Sequence, residues 1–588
     1  MKRHNRTASS WLARKRRATA RYAFVLAVVA CARGPVVGVA PQSDAYDVVI
    51  TGGRVVDGTG SAWFHGDIGI SGDRIARIVP AGLLANAPAR ERIDARGLVV
   101  APGFIDIQSH SRGEFLTGDG RIVSKVTQGI TTEILGEGWT NAPANEQTLA
   151  GSGDITDPAV QALSRSLMGP RGFDAWLRAM ERHGVSANVG SFVGATTVRV
   201  YARGQAMGPA SPAELDTMRV IMRNAMEDGA FGLASALIYP PGNFASTEEL
   251  IEVARAMAPY GGVYITHMRS EADQFLEAID EAIRIGREAG VPVEIYHLKA
   301  AGRRNWPKAA LAIAKIDSAR RAGLDVQANM YAYTAGGTGL SACLPPWASA
   351  DGKLLDNLKD PATRARIRAE MVQERTEWEN LCQLAGPEGV LLLGLRKDEN
   401  KRFVGKRLSE VAAVLGQEWP DVIMDLLIAE EQRIGTVYFL MTEENIALQL
   451  RQPWIKFGTD AGGFDPDSAT GPSHPRAYGN FPRLLGKYVR DERVIPLEDM
   501  IRKMSSAVAT RLSLQDRGVL RAGMYADVVV FDPATVADRA TFESPHQLSV
   551  GVRHVLVNGT SVVRDGRHTG AKPGRIVRGP GYGHRPGR

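Results

Sequence analysis

The segment VVAPGFIDIQSHSRGEF, which runs from Val99 to Phe115, sets the architecture of the chain. Its apolar run stops at Asp106, and residues two apart on a strand point to the same face, so Gln108 and His110 are expected side by side. Active sites of (β/α)8 barrels lie at the carboxyl ends of the strands. A buried strand that ends in two ligand-type side chains therefore predicts the first strand of such a barrel, with a metal site at its end.

The middle of the chain alternates strand-like and helix-like segments, which favours βα units around a parallel sheet. Ser211, Pro212 and Glu214 occupy cap, first-turn and capping-box positions of one predicted helix. Eight strand candidates make a closed α/β barrel a better interpretation than an open sheet. These candidates are residues 98–110, 130–137, 187–193, 230–236, 263–267, 293–297, 325–331 and 454–460.

Strand and turn sequences flank the barrel on both sides, and we interpret them as one small composite β domain built from both termini. Over a hundred residues separate the last two strands, and this insertion is either a lid or substrate wall or a stabilising elaboration. The predicted organisation is an export segment (1–45), an N-terminal β part (46–97), the barrel (98–515) with its insertion (335–452), a C-terminal β part (516–570) and a loose tail (571–588).

The first residues predict export. A strongly basic stretch precedes the apolar run 22–31, which is too short to cross a bilayer and is typical of a secretory signal. We expect a periplasmic or extracellular protein. Cys31 loosely fits a lipoprotein cleavage box, so a lipid anchor there is one alternative, and an uncleaved basic tail is another. No later stretch is long and apolar enough to cross a membrane.

Composition excludes several function classes. The net charge of +7 is concentrated in the leader, and no basic stripe alternates with aromatic residues later, so nucleic acid is not an expected partner. The 3 cysteines cannot build a thiolate metal cluster, and the sequence gives no reason to pair Cys343 with Cys382. Phosphate-cradle and nucleophile-elbow motifs are absent.

Histidines at strand ends carry the chemistry. His110, His267 and His297 end the first, fifth and sixth strand candidates, and Asp460 ends the eighth. A single strand-end histidine is more often structural, but three at matching ends with a carboxylate indicate a metal site. Neutral imidazole binds Zn²⁺, and a carboxylate beside the metal can take a proton from water and later return it. Asp460 is the candidate for that role, and the expected partner is a small-molecule substrate.

Several motifs together resemble one family. From about residue 46 to 566, the chain resembles the amidohydrolase superfamily and, within it, the N-acyl-D-amino-acid deacylase (D-aminoacylase) family. The resemblance implies the barrel with its composite β domain and zinc-dependent hydrolysis of the amide of N-acylated D-amino acids or related peptides. The motifs that carry it are APGFIDIQSH, GITTEILGEGW, YPPGNFASTEELIEVA, YITHMRSE, YHLKAAG, FGTDAGG and HPRAYGNFPRLLGKYVR.

By this resemblance His267 and His297 are the imidazoles of the zinc site, and Asp460 is the catalytic aspartate that accepts and returns the proton. Hydrolysis of cyclic amides, dipeptides or lactones would use the same residues. A non-catalytic scaffold on an amidohydrolase frame is the alternative from another class.

The chain departs from the family pattern at two ligands. The first histidine of the family's His-x-His pair is replaced by Gln108, whose neutral amide is a poor zinc donor, while His110 keeps the second place. The family's strand-two cysteine falls at Gly138, and Glu137 is the substitute carboxylate, unless it is only a neighbouring loop charge. We therefore expect one zinc ion, with a binuclear centre bridged by Glu137 as the rival.

The family resemblance also implies which residues contact the substrate. Lys299 is expected to hold the substrate carboxylate, and Tyr331 and Tyr333 match a family Tyr-Pro-Tyr element. Arg269 and Arg476 are further candidates, because guanidinium binds carboxylate through two parallel hydrogen bonds, although each could instead lie on the solvated surface.

Overall fold

The computed structural model of the chain describes residues 45–150, 158–431, 433–469 and 471–584. The export segment predicted for residues 1–45, including Cys31, lies outside the described residues except for Ala45. Among the residues that are described, no helix combines the length and the apolarity that a membrane span needs.

Five strands open the described chain. Val48 and Ile50 of the first strand are buried, as expected for a half-buried strand rich in β-branched residues. The first strand pairs antiparallel with the second and parallel with the fourth and fifth. These strands are β1 (Tyr46–Val55), β2 (Phe64–Ser71), β3 (Arg74–Pro80), β4 (Ala89–Asp94) and β5 (Val99–Pro102).

The first barrel strand begins after Gly103. The predicted strand 98–110 was therefore wrong in its bounds, because 99–102 belongs to the terminal sheet and only 104–106 belongs to the barrel. A Cβ at Gly103 would overlap the Thr131 side chain, so this crossing point needs glycine. Consecutive barrel strands are β6 (Phe104–Asp106), β7 (Ile130–Leu135), β8 (Asn188–Ser191), β9 (Val193–Gly194), β10 (Gly232–Ala236), β11 (Val263–His267), β12 (Val293–Ile295) and β13 (Val326–Met330).

Helices fill the intervals between these strands. The predicted capping box is present, since the Ser211 side chain accepts from the Glu214 N–H and Glu214 returns a bond to Ser211. The helices are α1 (Arg112–Leu116), α2 (Val123–Val126), α3 (Glu146–Ala150), α4 (Pro158–Ser166), α5 (Gly172–His183), α6 (Ala195–Arg203), α7 (Pro212–Asp228), α8 (Thr247–Arg255), α9 (Phe275–Ala289) and α10 (Lys308–Arg321).

The insertion 335–452 forms a subdomain with its own apolar core, which includes Leu340, Leu358 and Ile423. A disulfide joins Cys343 to Cys382, a pairing that no sequence pattern indicates. The three-stranded sheet has the order β14-β16-β15, with β14 (Ala335–Gly339), β15 (Val390–Leu392) and β16 (Gly435–Phe439). Its helices are α11 (Leu354–Lys359), α12 (Pro361–Met371), α13 (Leu381–Ala385), α14 (Asp398–Lys401), α15 (Leu408–Leu415), α16 (Trp419–Glu430) and α17 (Glu443–Leu450).

Strand β17 (Ile455–Phe457) is the eighth barrel strand, because β8 and β9 are two segments of one strand that pair with β7 and β10. It pairs in parallel with β13, and the Asp460 N–H donates to the Gln108 carbonyl (2.8 Å) beside a parallel bridge between Ser109 and Ala461. Because the end of the eighth strand thus meets the end of the first, the barrel closes. Three helices follow, α18 (Arg476–Arg483), α19 (Leu497–Met504) and α20 (Ser506–Arg511).

The C-terminal strands complete the composite sheet predicted from both termini. The nine-stranded sheet has the order β21-β20-β19-β18-β5-β1-β2-β3, with β4 beside β1. Residues 574–577, predicted to be part of a loose tail, instead exchange backbone hydrogen bonds with Val185 and Val189 at the barrel base. The last strands are β18 (Val528–Phe531), β19 (Val552–Val557), β20 (Thr560–Arg564) and β21 (Arg567–His568).

A buried ionic cluster fills the barrel beneath the carboxyl ends of its strands. The Lys125 ammonium lies 2.9 Å from Asp106 and 2.8 Å from Glu133, and it donates to the Thr459 hydroxyl at 2.6 Å. All these side chains are fully buried. Because a buried charge is tolerated only when it is paired, this cluster fixes strands β6, β7 and β17 relative to one another.

We expect the disulfide to stabilise the folded chain. Its sequence separation of 39 predicts that reduction lowers the free energy of unfolding by about 2–4 kcal/mol, because the cross-link restricts the unfolded chain. Thermal denaturation with and without a thiol reductant measures this. The double variant Cys343→Ser/Cys382→Ser is the control and must not respond to reductant. An unchanged melting temperature of the reduced wild-type protein would contradict the prediction.

Candidate active site

Five side chains, one at the end of a strand and four just after other strands, converge at the top of the barrel. Glu137 follows β7, His267 ends β11, and His297 follows β12, while His110 and Asp460 follow β6 and β17. Parallel strands of a closed barrel present their carboxyl ends at one face, so residues far apart in sequence meet there. The structure thus brings together all the histidines and the aspartate that the sequence analysis selected.

Glu137 is the centre of this group. Its Oε1 lies 3.1 Å from His267 Nδ1 and 3.4 Å from His297 Nε2, and its Oε2 lies 3.4 Å from His110 Nε2. The Gln108 amide also donates to Oε2 at 2.6 Å, so Gln108 supports the carboxylate. Burial raises the pKa of Glu137, but hydrogen bonds to the three imidazoles outweigh it and hold the pKa well below its ordinary value.

Asp460 lies on the other side of His110. Its Oδ1 is 2.9 Å from His110 Nε2, and its Oδ2 is 2.7 Å from the Arg476 guanidinium. Burial alone would raise the pKa of the Asp460 carboxyl, but the Arg476 charge and the His110 hydrogen bond lower it overall. The carboxylate is therefore ionised and held at both oxygens.

His297 is held from behind by a charged pair. Its Nδ1 lies 2.8 Å from Glu271 Oε1 and 2.7 Å from the Lys299 ammonium, which itself contacts both Glu271 oxygens at 2.6 Å. Burial and Lys299 oppose protonation of His297, yet the surrounding carboxylates, Glu271 foremost, raise its pKa to about 9.

The backbone is strained where the chain leaves two of these strands. His297 and Asp460 have φ of 32° and 50°, in the left-handed region that residues other than glycine rarely adopt. Such strain persists only where the surrounding structure enforces it, and it is concentrated at functional sites. This backbone conformation directs the side chains of His297 and Asp460 into the cavity at the top of the barrel.

Two donor sets could hold a cation, and both use Glu137. One is Glu137, His267 and His297, and the other is His110, Glu137 and Asp460; within each set the ligand atoms lie within 4.8 Å of one another. The first set offers two imidazoles and a carboxylate, donors that suit Zn²⁺ and similar divalent metals.

A cavity of about 690 Å³ opens over these residues, which is a volume typical of small-molecule sites. One wall comes from the insertion, so this segment lines the substrate space as well as elaborating the fold. The insertion residues in that wall include Gly336, Thr338, Ser341, Glu379 and Arg433.

The five predicted substrate contacts separate into two groups. Lys299, Tyr331 and Arg476 line the cavity, and the Arg476 guanidinium lies 4.5 Å from the Tyr331 ring centroid. The structure does not bring the other two there. Arg269 pairs with a glutamate of α9 and with two backbone carbonyls, and the Tyr333 hydroxyl donates to an aspartate near the C-terminal sheet at 3.1 Å.

Four charged cavity residues were missed by sequence reasoning: Arg112, Glu271, Glu379 and Arg433. Glu271 follows His267 by four residues in a loop, beyond the strand periodicity that selected the histidine. Glu379 and Arg433 belong to the insertion, where no pattern distinguishes a cavity residue from a surface one. Arg112 follows His110, the last residue of the first motif, by two residues and could have been selected by its nearness to His110.

Comparison with known proteins identifies the family. Residues 403–563 match the model of the amidohydrolase family. The chain is 36% identical to D-aminoacylase of Alcaligenes xylosoxydans xylosoxydans over 539 residues, which is 91% of this chain and 99% of that protein. The chain belongs to the D-aminoacylase family of amidohydrolases. N-acyl-D-aspartate deacylase of the same organism is 34% identical and is covered over 95% of its length.

Solved structures of the D-aminoacylase family confirm the predicted fold. A crystal structure of D-aminoacylase matches with a TM-score of 0.74 at 32% identity and covers 91% of this chain and all of that one. N-acyl-D-glutamate deacylase from Bordetella bronchiseptica, complexed with zinc and a phosphonate inhibitor, matches with a TM-score of 0.73 at 31% identity over 91% of this chain. The expected resemblance, the barrel and the composite β domain are therefore confirmed.

The environment of Glu379 predicts that the stability of the protein depends on pH. Burial, and then the charge of Glu271, raise the pKa of Glu379 from 4.5 to about 7, so the folded chain binds this proton more tightly than the unfolded chain. Stability should consequently fall as the pH rises from 4.5 through 7, by at most about 3 kcal/mol. Glu379→Gln should remove this loss.

Urea denaturation of both proteins at pH 5 and pH 8 measures the difference. Glu377→Gln, at an exposed glutamate of the same segment, is the matched control and should keep the wild-type pH dependence. If Glu379→Gln and wild-type proteins lose the same stability between the two pH values, Glu379 does not carry the raised pKa.

Proposed function

We propose that this chain is a metal-dependent deacylase of N-acyl-D-amino acids. The observation that carries the proposal is the convergence of His110, His267 and His297 on the single carboxylate of Glu137, with Asp460 beside it. Relatives at 34–36% identity over about nine-tenths of the chain are named D-aminoacylase and N-acyl-D-aspartate or N-acyl-D-glutamate deacylases, which supports the substrate class.

One zinc ion, held by Glu137, His267 and His297, is the proposed cofactor. A zinc ion at these residues supplies a water of lowered pKa and stabilises negative charge on the attacked carbonyl oxygen. The ligand atoms of the other donor set already take part in hydrogen bonds: His110 bonds to Asp460, and Gln108 donates to Glu137. A second ion bridged by Glu137 would have to displace the His110–Asp460 bond.

Asp460 is the proposed proton carrier. Its ionised carboxylate can accept a proton from the attacking water and deliver it to the amide nitrogen as that bond breaks. Arg476 and His110 hold its two oxygens and fix their direction. The carboxylate is thus oriented before substrate arrives, which lowers the cost of reaching the reacting geometry.

The α-carboxylate of the substrate is proposed to bind between Lys299, Tyr331 and Arg476. The Tyr331 hydroxyl is buried in the cavity wall and has no hydrogen-bond partner among the described residues. A substrate oxygen there would satisfy this donor and could also accept from the Arg476 Nε, which has no hydrogen-bond partner among the described residues.

We also propose that the protein is exported. The basic leader with its short apolar run supports this, and so does the Cys343–Cys382 disulfide, because disulfides form and persist mainly in oxidising compartments.

Cell fractionation tests the export proposal. The full chain should be recovered in the periplasm or medium with its disulfide formed, while a version lacking residues 1–44 should stay in the cytoplasm. Cytoplasmic recovery of the full chain would contradict the proposal.

Metal analysis and turnover of one variant test the proposed function. Asp460→Asn should keep the metal but lower kcat on N-acetyl-D-amino acids by at least about 100-fold, because it removes the proton carrier. Wild-type protein should prefer N-acetyl-D- over N-acetyl-L-substrates and over hydantoins, dipeptides and lactones. Asp467→Asn, at an exposed aspartate of the same loop, is the control.

Two results would contradict the proposal. Full activity of Asp460→Asn would remove Asp460 from the reaction. Protein that stays metal-free and inert after addition of zinc would indicate a non-catalytic scaffold.

A further inference from the structure

Two cavity arginines have no acidic partner. Arg112 and Arg433 both line the cavity, and neither forms an ion pair with any acidic residue that the structure describes. Arg112 donates to the Trp139 carbonyl at 2.8 Å, and Arg433 donates to the Thr338 hydroxyl at 2.8 Å. Each guanidinium thus donates one hydrogen bond to a neutral oxygen, and its remaining N–H groups can bind a ligand.

The other two cations of the cavity differ in this respect. Lys299 is paired with Glu271, and Arg476 is paired with Asp460. Among the described cavity residues, Arg112 and Arg433 are therefore the cations that no carboxylate contacts directly, although the charge of Glu137 also acts on Arg112. Arg112 is the first residue of α1 and Arg433 belongs to the insertion, whereas Lys299 lies just after β12 and Arg476 begins α18.

The two arginines are close enough to affect each other. Burial lowers the pKa of Arg112, and the charge of Arg433 lowers it further. Like charges that face one cavity repel, and an anion between them would relieve the repulsion and satisfy their free donors.

Local packing holds Arg433 in place. Its side chain lies against the backbone of Gly339, where a Cβ would come within 2.8 Å of Nε and 2.9 Å of Cγ. Glycine at this position lets the guanidinium lie across β14 into the cavity. Thr338, on the same strand, accepts its hydrogen bond. Arg433 is thus positioned by the insertion rather than free on its surface.

We propose that Arg112 and Arg433 bind a second carboxylate of the substrate, so that the preferred N-acyl-amino acid is a dianion. The inference rests on the proposed deacylase function and adds a subsite to it. The α-carboxylate is bound by Lys299, Tyr331 and Arg476, and the second carboxylate is bound by Arg112 and Arg433. It belongs either to the amino-acid side chain or to the acyl group.

Matched substrates test the subsite with the metal-loaded full chain. N-acetyl-D-glutamate is compared with N-acetyl-D-glutamine, and N-succinyl-D-leucine with N-butanoyl-D-leucine, since each pair differs mainly in one carboxylate. The wild-type protein should favour the dianion of one pair by at least about 10-fold in kcat/KM, the value of a charged hydrogen bond. The pair that shows the preference identifies the source of the carboxylate.

Arg433→Gln should abolish that preference, lowering the ratio of kcat/KM within the pair by about 10-fold or more. Arg112→Gln should act in the same direction, and Gly339→Ala should weaken the preference by displacing Arg433. Arg402→Gln removes an exposed arginine of the insertion that does not line the cavity, and it should keep the wild-type ratio.

Calorimetric titration separates this inference from the deacylase function. The Asp460→Asn protein, with and without Arg433→Gln, is titrated with both members of each pair. Tighter binding of a dianion that is lost with Arg433→Gln supports the subsite even if no turnover is found. Turnover of both members of each pair at equal kcat/KM, with equal binding, overturns the inference and leaves the deacylase function in place.

Discussion

A buried carboxylate that several histidines must share is the constraint on which this site depends. Glu137 is removed from water, and such a charge is stable only when hydrogen bonds or a cation compensate it. Three imidazoles and the Gln108 amide provide that compensation, and they come from the ends of β6, β11 and β12. The barrel is the frame that allows elements so distant in sequence to reach one carboxylate.

The barrel and most of its site could be predicted because strand ends follow a simple rule. His267 ends an apolar strand, His110, His297 and Asp460 follow such strands within a few residues, and a parallel barrel gathers these ends at one face. The rule does not hold for every residue just beyond a strand end. Arg269 follows His267 by two residues, but β11 stops at His267, so pleat alternation no longer directs the side chain, which turns to Glu281 on α9.

The insertion could not be predicted beyond its existence. Its disulfide, its apolar core and the placement of Glu379 and Arg433 in the cavity depend on tertiary packing that no short-range pattern encodes. A local feature also misled the strand assignment, since Gly103 divides what reads as one strand into two that belong to different sheets. Long insertions after barrel strands form substrate walls, and the chain follows this general behaviour.

The most direct test of the central claim is a crystal structure of the zinc-loaded protein with anomalous diffraction at the zinc edge. The account predicts an anomalous peak about 2.0–2.2 Å from a Glu137 oxygen and from nitrogens of His267 and His297. A peak bound by other residues, with the Glu137 carboxylate turned away from both imidazoles, would contradict it.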